Sequence, residues 1–232
     1  MKYDVANATK GEKIMEIYKN ILFEGISRYD CQRMIDCFHA TEKIFEKNTK
    51  IAEMNECNQN VGIILSGEVQ IVKYDFNGNK TILEKLKKND IFGNLFNFQN
   101  FTDDPIEVIS ETDTVVLIIA YNELTKRCHE ACECHSKIVE NLLKLMSQKA
   151  ISLSEHIEVL SQRTIRGKIL SYFKILQYRQ KSSETFEIPF SMTELSEYLC
   201  INRSAMLREM KNMKEENIIS VSGKKVTLAN EF

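Results

Sequence analysis

The side chains best suited to chemistry cluster toward the C-terminal end. Asn202-Arg203-Ser204, Arg208 and Lys211 fall on one surface of a segment whose Met206, Met210 and Met213 recur at helical spacing. An arginine on such a helix can grip guanine O6 and N7 with two hydrogen bonds, while serine and lysine can hold base edges or phosphates. Lys224 and Lys225 follow Gly223 at a turn, a placement suited to phosphate. A second constellation, Cys128, Cys132, Cys134 and His135, carries soft ligands and thiols. On a helix only Cys128 and Cys132 share a face, and neither a haem-attachment motif nor a zinc-knuckle spacing is present. Two readings of that cluster stay open: structural thiols at the start of a helix, or the centre of a redox, metal or haem sensor.

The elements around the first constellation form a recognisable scaffold. Ser191-Met192-Thr193-Glu194 is a capping box, and Leu195, Tyr198 and Leu199 give the helix that follows a buried face. Ser196 is small enough for a second helix to cross closely. A short connection through Cys200-Ile201 reaches Asn202, an N-cap for the helix Arg203–Glu216. Ile218–Val221, Ser222-Gly223-Lys224-Lys225 and Val226–Leu228 then read as a hairpin. Ser191–Leu228 is therefore expected to be a winged helix-turn-helix that binds duplex DNA through Asn202, Arg203, Ser204, Arg208 and Lys211, with Lys224 and Lys225 on phosphate. Upstream, Thr164–Arg179 reads as a helix with Ile165, Ile169, Tyr172, Phe173 and Leu176 on one face. Phe186–Phe190 reads as a short edge strand because it contains Pro189.

Residues 132–160 keep helical periodicity, and 135–160 alone would make a helix of about 39 Å at 1.5 Å per residue. Ile138, Leu142, Leu145, Lys149, Ser152 and His156 repeat on a 4-3-4-3 spacing, with Val139, Leu143, Met146, Leu153, Ile157 and Leu160 beside them. So wide a stripe has one edge for its own chain and one for a second copy. The first row is assigned to a homodimer interface. Between Thr41 and Ala120 the pattern is instead one of short strands: Val61–Leu65, Val69–Tyr74, Thr81–Leu86, Ile106–Ile109 and Thr114–Ile119. Ser66-Gly67-Glu68, Asn77-Gly78-Asn79 and Asn89-Asp90 separate them, which suggests an antiparallel roll. Residues 12–23 and 28–39 read as short amphipathic helices. The expected fold is α+β: a jelly-roll-like antiparallel β-roll effector domain over residues 1–130, a long dimerisation helix over 131–161, and a winged helix-turn-helix over 162–232.

The 232 residues carry a formal net charge of −2, which by itself does not suggest a nucleic-acid partner. Its distribution does: residues 162–232 hold 12 Lys and Arg against 8 Asp and Glu, whereas residues 1–161 hold 19 against 25. Seven cysteines in no secreted-domain spacing, together with a polar N-terminus, point to free thiols in a reducing cytoplasm. No run of 18 apolar residues suggests a membrane span. No nucleophile elbow, P-loop, glycine-rich dinucleotide loop or zinc-protease motif is found, so an enzyme is not expected.

Several stretches bear a family likeness. Asp90-Ile91-Phe92-Gly93 followed by Leu95, Arg163-Thr164-Ile165-Arg166-Gly167-Lys168-Ile169-Leu170, Leu195-Ser196-Glu197-Tyr198-Leu199 and Asn202-Arg203-Ser204 together resemble the Crp/Fnr family of bacterial regulators, over about residues 15–228. The resemblance implies a cyclic-nucleotide-binding-like roll, a dimer helix and a DNA-binding domain in which Arg203, Ser204 and Arg208 read bases. It also implies an effector pocket at Gly93, Asn94, Leu95, Asp104 and Pro105, and adds RNA polymerase as a candidate partner. Members that bind cyclic AMP have Gly-Glu on the pocket strand and a later Arg-Ser pair on the phosphate. Here these positions hold Gly93-Asn94 and Asp104-Pro105. A carboxylate repels a phosphate, and proline has neither hydroxyl nor N–H to offer. Tight cyclic AMP binding is therefore not expected, and the small-molecule effector is unassigned; no cofactor is required. Asn89 and Cys200 stand where the family usually has glycine. Cys31, Cys37 and Cys57 lack the close spacing of the iron–sulfur branch.

Overall fold

A computed structural model of the chain describes residues 17–53, 60–93, 106–125, 133–181 and 185–229. The chain divides into two compact units, Met1–Asn79 with Leu83–Gln148, and Lys149–Phe232 with Lys80–Ile82.

The first unit begins with two single 3₁₀ turns, Ile17–Lys19 and Ile21–Phe23, and helix α1, Arg28–Cys37. The described part of 12–23 is thus not the α-helix expected from its periodicity. Asn20 interrupts it: its side chain accepts from Leu22 N at 2.9 Å and donates to Asn89 O at 2.7 Å, and the backbone bonds here run i to i−3. Eight strands follow: β1 Thr41–Phe45, β2 Lys50–Glu53, β3 Asn60–Ser66, β4 Glu68–Tyr74, β5 Lys80–Lys87, β6 Ile91–Gly93, β7 Ile106–Ser110 and β8 Thr114–Ala120. They form two antiparallel four-stranded sheets in the orders β1-β8-β3-β6 and β2-β7-β4-β5, a jelly roll. The five strands read from the sequence are present. β1 and β2, which carry few apolar residues, and the three-residue β6 are additions to those five.

Strands β3 and β8 explain why their segments are almost continuously apolar. Val61, Ile63, Leu65, Val115, Leu117 and Ile119 point to a layer containing Leu22, Phe23, Met34, Ile35 and Phe38. Ile64 and Val116 point the other way, into a core with Val69, Ile71, Leu86, Phe92 and Val108. Strands covered on both faces lose the apolar–polar alternation of a half-exposed sheet. A one-turn helix α2, Tyr121–Thr125, follows β8.

The long helix α3 runs from Glu133 to Ser161. In the second unit come α4 Ile165–Arg179, β9 Thr185–Glu187, α5 Met192–Tyr198, α6 Arg203–Glu215, β10 Ile219–Ser222 and β11 Lys225–Leu228. The strands make a sheet in the order β10-β11-β9. β9 lies at its edge as Phe186–Phe190 was expected to, but ends at Glu187, before Pro189. The α+β expectation of roll, long helix and winged helix-turn-helix holds.

Candidate nucleic-acid interface

The sequence around α5 and α6 sets up its own geometry. Ser191 Oγ accepts from Glu194 N at 3.3 Å and Ser191 N donates back to the Glu194 carboxylate at 2.6 Å, a complete capping box. α5 ends with Cys200 in the left-handed region at φ +52°, and Ile201 N donates to Ser196 O at 3.0 Å. This close turn usually uses glycine; a β-carbon there carries some backbone strain. Asn202 Oδ1 then accepts from Ala205 N at 3.1 Å and starts α6. Met206, Met210 and Met213 are buried beneath α6, as are Leu195 and Leu199 on and after α5.

Asn202, Arg203, Ser204, Arg208 and Lys211 are all exposed, and Leu207 stands partly exposed among them. Two carboxylates, Glu209 on α6 and Glu216 at its C-cap, are drawn aside, while Glu215 pairs with Lys211 at 3.7 Å. Arg166 on α4 makes a two-pronged pair with Glu216, at 2.7 and 2.8 Å, and a further bond to Glu209. Those carboxylates, Glu216 first, raise the guanidinium pKa above its ordinary range. Arg166 therefore neutralises one flank of α6 and leaves the flank of Arg203, Ser204 and Arg208 cationic. Nothing in the local pattern of Arg166 pointed to this role, because its partners lie 43 and 50 residues away. The hairpin β10–β11 carries Lys224 and Lys225, both exposed, at its tip beside Gly223.

The long helix requires a correction. Ile138, Leu142 and Leu145, assigned to a dimer interface, are buried in the core of their own roll, with exposures of 0%, 5% and 6%. Asn141 between them donates to Leu22 O and Glu24 O, tying the helix to the 3₁₀ turns. Farther along, Ser152 accepts from Arg179, which also pairs with Glu155. His156 stacks on Tyr198, with ring centroids 4.0 Å apart and planes 2° from parallel, and Nε2 lies 3.0 Å from Tyr198 O. Burial lowers the His156 pKa. Of the row expected to meet a second copy, Ile138, Leu142, Leu145 and His156 thus face their own chain, while Lys149 and Ser152 are half-buried. What remains open is the neighbouring row: Val139, Leu143, Leu153 and Ile157 are exposed, with Met146 half-buried and Ala150 exposed between them. Residues 139, 143, 146, 150, 153 and 157 keep the 4-3 spacing of a helix–helix seam.

Inside the roll is a cavity of about 200 Å³ lined by Phe45, Ile51, Gly62, Phe92, Gly93 and Val108, with Lys43, Glu53 and Asn60 also on its wall. Gly93 sits at φ +120°, and a β-carbon there would come within 2.2 Å of Asn60 O, so glycine is required. Asn94, Leu95, Asp104 and Pro105, the other expected pocket residues, lie outside the described residues. So do Cys128 and Cys132. Cys134 is half-buried against the core that contains Cys31, and the His135 ring meets Phe38 edge-on at 5.6 Å. Burial pushes the Cys31 thiol up to about 11, with Cys134 adding to the shift. Among the described residues no group of three His, Cys, Asp or Glu could hold a metal. Asn89 adopts φ +72°, a conformation asparagine tolerates.

Comparison with known proteins agrees with this architecture. The cyclic nucleotide-binding domain family matches residues 42–130, and the Crp-like helix-turn-helix domain family matches residues 167–231. The transcriptional activator protein FnrL of Cereibacter sphaeroides is 23% identical over 101 residues, 40% of this chain and 41% of its own. The chain thus spans less than half the length of that curated relative. Among solved structures, the c-di-GMP responsive global regulator CLP of Xanthomonas campestris superposes with a TM-score of 0.64 at 15% identity, over 86% of this chain and 99% of its own. A variant of CooA from Carboxydothermus hydrogenoformans gives 0.61 at 15%, over 93% and 90%. At such identities the structures show a shared fold. With the two domain families matching in order on either side of the long helix, the chain belongs to the Crp/Fnr family.

Proposed function

We propose that the protein regulates transcription as a homodimer that places two copies of α6 in successive major grooves of an approximately palindromic site. The observation that carries this reading is the outward surface of α6. Arg203, Ser204, Arg208 and Lys211 stand exposed on a capped helix whose carboxylates at Glu209 and Glu216 are drawn aside by Arg166. Asn202 starts that helix, and Lys224 and Lys225 on the wing hold phosphate. The dimer forms along the row Val139, Leu143, Met146, Leu153 and Ile157 of α3, exposed except for the half-buried Met146. The functional division is an effector roll over residues 1–130, the helix 131–161 and the DNA-binding residues 162–232, with RNA polymerase as a further partner.

The roll takes a small effector into its cavity. For that to act on DNA binding, the effector must favour one of two arrangements of the dimer. Gly93 lines that cavity, and by the family resemblance Asp104 and Pro105 replace the phosphate-binding pair in sequence, so the effector is not cyclic AMP. Among the described residues no helix is long and apolar enough to cross a membrane. The test is selection and sequencing of DNA fragments bound by the purified protein. A recurring palindrome with half-site centres about one helical turn apart is expected. Equal affinity for selected and random DNA across salt concentrations would refute the proposal.

A further inference from the structure

On the outward surface of α6, one side chain does not match its neighbours. Leu207 is the single large apolar residue left exposed on this helix, at 37%. It lies four residues after Arg203 and three after Ser204, and Lys211 follows four residues later, so all of these adjoin one another on the helix surface. Helical side chains lean toward the N-terminus, which puts the Leu207 methyls over the turn that carries Arg203 and Ser204. The buried face of α6 is filled by Met206, Met210 and Met213, and Leu207 lies beside that face with more than a third of its surface open.

We infer that Leu207 is a specificity-determining residue that reads the C5-methyl group of a thymine in each half-site. This deepens the proposed function and rests on it. Among the groups a base pair presents in the major groove, the thymine methyl is the apolar one; the others are hydrogen-bond donors and acceptors. An apolar side chain set among Arg203, Ser204 and Lys211 is complementary to that group and indifferent to the rest. The spacing also locates the base. Four residues of helix span about 6 Å at 1.5 Å per residue. The thymine therefore lies within about two base-pair steps, at 3.4 Å each, of the base held by Arg203.

Deoxyuridine lacks only this methyl and keeps every hydrogen-bonding group, so it isolates the contact. Thymines of a selected site are replaced by deoxyuridine one at a time, and affinity is measured for the unaltered protein and for Leu207→Ala. Alanine on an exposed helical surface preserves the fold. The unaltered protein should lose about threefold or more at one thymine per half-site, the effect expected for one buried methyl group. Leu207→Ala should bind the thymine and deoxyuridine forms of that position alike, while still discriminating at the base held by Arg203. Identical deoxyuridine profiles for the two proteins would overturn the inference, as would an unaltered protein that binds its site specifically yet is insensitive to every replacement. Failure of the unaltered protein to distinguish selected from random DNA would instead overturn the regulator reading, and this inference with it.

Discussion

Leu143→Asp separates the two faces of the long helix. Leu143 is 60% exposed in the single chain, whereas its neighbour Leu142 is 5% exposed and sits in the core of the roll. Full burial of a leucine side chain is worth about 1.5–3 kcal/mol, so covering the part that the single chain leaves open is worth about 1–2 kcal/mol. A two-fold interface contains the residue twice, which makes the loss about 2–4 kcal/mol, or about 30- to 700-fold in dimer affinity. Two carboxylates brought into an apolar seam without partners increase it further. Sedimentation equilibrium should show Leu143→Asp as a monomer at concentrations where the unaltered protein is dimeric, and its urea unfolding should retain a cooperative transition for the roll. Leu142→Asp should do the reverse, destabilising the roll itself by about 3 kcal/mol or more, because it buries an unpaired charge in place of a core leucine. A dimer of unchanged affinity in Leu143→Asp, or an unaltered protein that is monomeric at micromolar concentration, would refute the reasoning.

Arg203→Ala should weaken binding to a selected site by about 1–3 kcal/mol and relax preference at one base pair, measured by competition among single-base variants of the site. Gly93→Ala forces a β-carbon against Asn60 O at a left-handed φ and should cost about 2 kcal/mol or more, read from the urea midpoint. Burial holds the His156 imidazole below its ordinary value of 6.5. The unfolded chain therefore takes up the proton first as the pH falls. The contribution of this residue is complete above about pH 6.5 and is lost as the pH falls through the folded-state value. Urea midpoints at pH 8 and pH 5 should differ less in His156→Gln, whose amide can still donate to Tyr198 O but does not titrate. Calorimetry should detect no micromolar binding of cyclic AMP; such binding would mean that Asp104 and Pro105 do not correspond in sequence to the family's phosphate-binding pair.

The sequence alone determined the parts whose signals are local. The capping box at Ser191 and Glu194, the Asn202 cap and the buried methionines of α6 involve residues within a few positions of one another, so type and spacing suffice. The doubly buried strands β3 and β8 were equally legible, because their apolar runs reflect burial on both faces. β1 and β2 were not, since strands with mostly exposed or half-exposed side chains carry no such run. Nor was the break at Asn20, whose side chain reaches a carbonyl 69 residues away. Along α3 the period was readable but the assignment of its edges was not. Over the first turns Ile138-Leu142-Leu145 and Val139-Leu143-Met146 are both apolar, and spacing alone does not say which meets the roll; farther on, Lys149, Ser152 and His156 make the first row polar while Ala150, Leu153 and Ile157 keep the second apolar. Only the tertiary structure decided, by packing the first row on Leu22, Phe23 and Phe38 and tying Asn141 to the carbonyls of Leu22 and Glu24. The same holds for Arg166: its charge was visible from the start, but its partners on α6 come within reach only once the chain has folded.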